Sequence, residues 1–164
     1  MEQGTRTGVQ AEEQLLDTWN IHNRINLYLL QAIPPEALDG VPASKGRSVG
    51  EMFAHVHNVR LMWLQAAAPE LMDNLTKVEK ERAADKALLH RSLEESGKVM
   101  EGLLRNAMQT GGKIKGFKPH AVAFLGYLIS HESYHVGEIA MTLTQSGHPL
   151  DKKTAYGIWE WGVR

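Results

Sequence analysis

Apolar side chains recur at helical spacing along four stretches of this chain, and turn-forming residues separate the stretches. Leu15, Trp19, Ile25 and Leu29 predict a first helix over 11–32. It ends at Pro34-Pro35, because proline lacks the amide donor and its ring clashes with the preceding turn. A loop rich in Pro, Gly and Ser follows over 35–47. Ser48-Val49-Gly50-Glu51 then reads as a capping box, with the Ser48 hydroxyl accepting from the Glu51 amide and the Glu51 carboxylate reaching back to Ser48. That helix runs to about residue 68, where Pro69 limits it. The segment 69–82 fits either a short helix or a loop. A third helix is predicted over 83–109, with Leu88, Leu89, Leu93, Val99, Leu103 and Leu104 inward, and Gly111-Gly112 ends it. The fourth runs over 119–145, with Pro119 in its first turn and Gly147 and Pro149 as its stop. The tail 154–164 carries Trp159 and Trp161 and is expected to pack across the bundle.

No segment alternates with period two, so no strand is predicted. Four long helices joined by modest loops make an all-α four-helix bundle, one domain over 1–164. A chain of 164 residues can bury such a core without staples.

Composition narrows the function. Hydrophobic residues make up 43% and charged residues 23%, with a formal net charge of -1, so neither nucleic acid nor an anionic membrane is an expected partner. No run of about 18 apolar residues predicts a membrane span, and the polar residues 1–14 do not read as a signal peptide. The absence of cysteine excludes disulfides, thiolate zinc sites and a thiol nucleophile, and fits a cytosolic protein.

Eight histidines are the compositional oddity. His131 and His135 lie four residues apart on the fourth helix, which puts both imidazoles on one face, one turn apart. Chance alone supplies about 0.4 such pairs at this histidine content, so the spacing by itself is a weak signal. The helix rotation strengthens it. Phe124, Tyr127, Leu128, His131, His135, Glu138 and Thr142 fall on one stripe, apolar at one end and polar at the other, where a solvated face would carry Lys and Arg. Buried polar groups need partners, and a metal ion suits imidazoles. On the second helix the apolar face is set by Met52, Val56, Val59 and Trp63. His55 flanks it at about 80° and His57 at roughly 120° on the other side, which favours His55 as the third ligand and leaves His57 solvated or partly packed. His22, His90, His120 and His148 show no converging spacing and read as surface or loop residues.

His131-Glu132-Ser133-Tyr134-His135 also fits the H-E-x-x-H zincin pattern, with Glu132 as general base. The longer metzincin pattern needs glycine at 138 and meets Glu138. The chain offers no strands to line a peptide groove. A di-iron bundle needs Glu-x-x-His on two helices, and only Glu132–His135 supplies it.

These residues resemble the DinB/YfiT-like superfamily. Ser48-Val49-Gly50-Glu51-Met52-Phe53-Ala54-His55 is similar to its second-helix signature, His131-Glu132-Ser133-Tyr134-His135-Val136-Gly137-Glu138 to its fourth-helix signature, and Ala155-Tyr156-Gly157-Ile158-Trp159-Glu160-Trp161-Gly162 to the end of some members. The resemblance spans nearly the whole chain. It implies a four-helix bundle, frequently a homodimer, with one divalent metal ion, zinc or nickel, held by His55, His131 and His135. It implies a metal-dependent hydrolase or a thiol-dependent S-transferase. The chain departs from the family at Val136 and Glu138, where Arg and Gln are common.

Three protein ligands leave a coordination position open for water or substrate. The expected activity is therefore activation of water or of a low-molecular-weight thiol toward a small-molecule substrate, with Glu132 or Glu138 as general base or as acceptor for an imidazole N–H. A non-catalytic metal- or ligand-binding bundle is the alternative reading. Tyr127 is placed near the stripe as a core aromatic, and Tyr134 away from it as a packing residue.

Overall fold

A computed structural model describes residues 2–164, with side chains from residue 8 onward. Four long helices dominate: α1 (Glu2–Ala32), α2 (Val49–Ala67), α3 (Lys86–Gln109) and α4 (Ala121–Gln145). A short α5 (Lys152–Gly157) follows, and no strand occurs among the described residues. The helices pack so that α1 and α2 lie across the bundle from one another, each seated on α3 and α4. None of the described helices is long and apolar enough to cross a membrane.

Local chemistry sets the helix starts. The capping box at Ser48 forms in both directions, with the Glu51 amide donating to Ser48 Oγ at 3.2 Å and the Ser48 amide donating to the Glu51 carboxylate at 2.7 Å. Asp85 caps α3 through the Leu88 amide. His120 caps α4, its Nδ1 accepting from the Ala123 amide at 3.1 Å, so this helix begins two residues later than Pro119 suggested. Helix α1 begins nine residues earlier than its apolar pattern did. Nothing in 2–10 is a proline, and a polar segment can extend a helix that packing has nucleated further along. The segment 69–82 resolves into two single 3₁₀ turns, Pro69–Leu71 and Lys80–Arg82, with loop between them.

The core is two apolar clusters. One gathers Leu29, Leu30, Phe53, Val56, Leu89, Leu93, Ile139 and Leu143. The other gathers Leu15, Trp19, Leu64, Met100, Leu104, Phe124 and Leu128. The periodic residues Leu15, Trp19, Ile25 and Leu29 of α1 are all buried. The tail does cross onto α1, where half-buried Trp161 lines a cavity with Ile25 and Asn26. Trp159 is 76% exposed, while the Arg164 guanidinium lies 3.7 Å over the Tyr28 ring, and the Arg164 carbonyl accepts from Arg24 at 3.0 Å.

Candidate metal centre

His55 sits two turns into α2, and His131 and His135 sit one turn apart in the middle of α4. Their rings form a triangle, with centroids 5.4 Å apart for His55–His131, 4.7 Å for His55–His135 and 4.7 Å for His131–His135. The Nε2 atoms of His131 and His135 stand 3.2 Å apart. One nitrogen from each of the three rings lies within 4.8 Å of the others. The three histidines therefore form a group that could hold a metal ion.

The surroundings keep these rings neutral, as metal ligation requires. Burial pulls His55 down to about 4, helped by the Arg47 charge and by the other two imidazoles. Burial likewise takes His135 to about 4, with His131 and Arg47 adding to it. His131 is lowered mainly by burial, and Arg47 outlasts the opposing pull of Glu132 only in company with that burial. Nδ1 of His131 is buried without a hydrogen-bond partner. Nδ1 of His135 lies 3.1 Å from Oε1 of Glu138, a close approach but not an aligned hydrogen bond. His135, whose Nε2 meets that of His131 while its Nδ1 looks toward a carboxylate, has the usual arrangement of a histidine ligand and its supporting group. The donor set fits a divalent ion.

One wall of the site is aromatic. The Tyr127 ring stacks against His131 at 6.2 Å and 12°, and Trp63 Nε1 donates to the Tyr127 hydroxyl at 3.4 Å. Phe117 and Phe124 close this cluster edge to face. His55 also lines a cavity of about 250 Å³ together with Arg47, Glu51, Asn58, Val78 and Lys80.

The two glutamates diverge. Glu138 reaches the rings. Glu132, one residue past His131 and so about 100° further round the helix, is turned into the bundle centre and is 1% exposed. Its Oε1 accepts from Arg60 Nε at 2.7 Å, and its Oε2 accepts from an Arg60 terminal amino group at 2.8 Å, from His22 Nε2 at 2.8 Å and from Asn26 Nδ2 at 2.7 Å. None of its described hydrogen bonds goes to the three imidazoles. Burial pushes this carboxyl upward, yet Arg60 and His22 outweigh it and hold Glu132 down at about 2. The remaining Arg60 amino group donates to Asn23 Oδ1, to the Leu93 carbonyl and to Ser96 Oγ. Trp19 stacks on the guanidinium at 4.8 Å. This polar knot touches all four long helices.

Two other histidines differ from their sequence reading. His22 is buried, because it belongs to that knot and lies on the core face of α1 with Trp19 and Asn26. His57 is buried too, under the loop after α2, where Nε2 donates to the Thr76 carbonyl at 2.9 Å. Tyr134 faces away from the stripe as expected but is 68% exposed, so it packs little. Sequence reasoning passed over Arg60, Asn23 and Asn26. The signal was present: Trp19, Asn23, Asn26 and Leu30 are spaced as one helical face, so two amides stand at core positions and need buried partners.

The DinB family model matches residues 1–159, and the chain belongs to the DinB family. Comparison with curated proteins and with solved structures returns no match.

Proposed function

We propose that this DinB family chain is a divalent-metal-dependent enzyme that activates water or a small thiol, acting as a hydrolase or a thiol S-transferase. The observation that carries the reading is the convergence of His55, His131 and His135, with the two α4 nitrogens 3.2 Å apart and all three rings held neutral. A zinc or nickel ion bound there supplies Lewis acidity, lowering the pKa of a water or thiol at its open position.

The protein groups divide the remaining work. Glu138 takes the supporting role beside His135 and is placed to accept a proton at Oε1, because its carboxylate reaches the rings and stays partly open to solvent. Glu132 has no free lone pair of comparable access, since four donors converge on its two oxygens. We assign it to holding α4 rather than to proton transfer. The aromatic wall of Tyr127, Trp63, Phe117 and Phe124 shields one side of the rings from water.

The test is metal analysis of purified protein followed by assays of the zinc- and nickel-loaded forms. The substrates are small esters and amides for hydrolysis, and an electrophile with a low-molecular-weight thiol for transfer. One equivalent of metal and turnover in either assay support the reading. Metal-free protein that takes up neither ion with micromolar affinity or better sinks it.

A further inference from the structure

The cavity beside His55 has an unbalanced charge. Its described lining holds two cations, Arg47 and Lys80, and one acid, Glu51. Glu51 is already engaged: the Ser48 amide donates to it at 2.7 Å, and Lys80 Nζ stands 3.3 Å away. Glu51 and Lys80 therefore satisfy each other, and Arg47 is left without a counter-charge among the cavity's described lining residues. Arg47 directly precedes the Ser48 cap, so the start of α2 fixes its backbone while its exposed side chain remains free to swing.

The same cavity is lined by both Arg47 and His55, so the guanidinium shares a pocket with the ring that clusters with His131 and His135. An uncompensated cation is electrostatically adverse beside a site that gathers positive charge on binding a divalent ion. A ligand that brings an anion to the same cavity removes that penalty. Arg suits the task, because its planar fork binds a carboxylate or phosphoryl group through two parallel hydrogen bonds. At about 250 Å³ the cavity has room for a small acid, given that a water occupies about 30 Å³ of liquid.

We propose that Arg47 anchors a carboxylate or phosphoryl group of the small molecule whose reacting atom lies at His55, His131 and His135. The substrate or cosubstrate of this protein is then an anionic small molecule, held at one end by Arg47 and presented at the other to the three rings. This rests on the metal-centre reading above.

The experiment loads the full chain with cobalt(II) and follows its visible absorption while two thiols are titrated, 3-mercaptopropionate and the uncharged 2-mercaptoethanol. The same titrations are run on Arg47→Ala and Arg47→Lys. The expected result is mercaptopropionate binding about tenfold more tightly than mercaptoethanol, in line with one charge-assisted pair. In Arg47→Ala that preference shrinks to about twofold with mercaptoethanol affinity kept, and Arg47→Lys retains part of it. Equal affinities in the unaltered protein overturn the inference. So does a preference that survives undiminished in Arg47→Ala, which would put the carboxylate on the metal itself. Cobalt that binds but responds to neither thiol also overturns it. Failure to bind cobalt at all is a separate outcome, and it removes the metal-centre reading together with this inference.

Discussion

Arg60 of α2 and Glu132 of α4 meet in a two-pronged ion pair, 2.7 Å from Nε to Oε1 and 2.8 Å from an amino group to Oε2, with both side chains shut away from water. These are the two helices that carry the histidines. The pair sits five residues after His55 and one residue after His131, so it fixes the rotation of each helix against the other. A buried pair of this kind adds little net stability over an apolar one, but losing one partner strands a charge. Glu132→Ala is expected to destabilise the metal-free protein by about 3–5 kcal/mol in chemical unfolding. Glu132→Gln keeps the shape and is expected to cost less. A loss under about 1 kcal/mol for Glu132→Ala would mean that the pair is not holding the helices.

Acid should expose the same pair. The folded carboxyl of Glu132 is held at about 2, below its ordinary 4.5. Its contribution to stability is therefore complete above 4.5 and is lost as pH falls from 4.5 toward 2. The depressed imidazoles act in the same direction but earlier. An unfolded chain takes up protons at these histidines near 6.5, while folded His55 and His135 do so only near 4. Stability of the metal-free protein should thus begin to fall as pH drops below 6.5 and continue to fall below 4.5. Unfolding curves collected at half-unit steps from pH 7.5 to 3 check both slopes. A flat profile from 6.5 to 4.5 contradicts the buried, neutral rings.

Metal should raise the melting temperature, since a ligand bound only by the folded state stabilises it by mass action. His55→Ala, His131→Ala and His135→Ala are each expected to abolish that rise. Glu138→Ala is expected to weaken metal affinity by about 10–100-fold, the usual loss when the group supporting a histidine ligand is removed. His57→Ala is the contrasting variant. It gives up the bond to the Thr76 carbonyl and lowers stability, yet it keeps the metal-dependent rise. Calorimetry with and without one equivalent of zinc separates the two groups.

Protons compete with a metal for imidazole nitrogen. An exposed cluster of histidines would start to lose metal affinity below its ordinary 6.5. Here His55 and His135 hold protons only near 4, and His131 is lowered as well. Zinc affinity is expected to hold to lower pH than it would at an exposed cluster, with protonation of His55 and His135 setting in only toward 4. Competition titrations against a chelator of known pH behaviour measure it. Affinity that already declines at pH 6.5 would show rings as wet as free histidine.

Gly50 lies in the first turn of α2, where a Cβ would run into the backbone carbonyl of Ala83 just ahead of α3. Backbone cannot swing aside as a long side chain can. Gly50→Ala should therefore cost about 1–3 kcal/mol through overpacking, even though alanine is the better helix former. Equilibrium unfolding gives the number, and a stabilised variant contradicts the close approach.

Much of the molecule was legible in the sequence because it depends on local rules. The capping box at Ser48, the stop at Pro34-Pro35 and the one-turn spacing of His131 and His135 need only neighbours a few residues away. The rotation that separates His55 from His57 is equally local, and the structure brings the first of these to the two α4 rings. Burial of His57 was not legible, because it comes from Thr76 folding back 19 residues later. The placement of His22 failed for a different reason. It was sought as a member of a metal cluster, whereas its helix face, shared with Trp19 and Asn26, already marked it as core. Glu132 drew attention as part of H-E-x-x-H, but one residue of helix turns it from the rings to the bundle axis, where a lone arginine on the facing helix awaits it.

The Asn58 side chain joins both backbone groups of Val78, donating to its carbonyl at 3.0 Å and accepting from its amide at 3.0 Å. The amide thus imitates a neighbouring β-strand, and a segment with little regular structure of its own is fastened to α2 one turn past His55. Because the fastening is made by the chain itself, the backbone of this wall beside the histidines is preset, while the Arg47 side chain stays free to adjust. An incoming molecule then spends little of its binding energy on ordering that backbone.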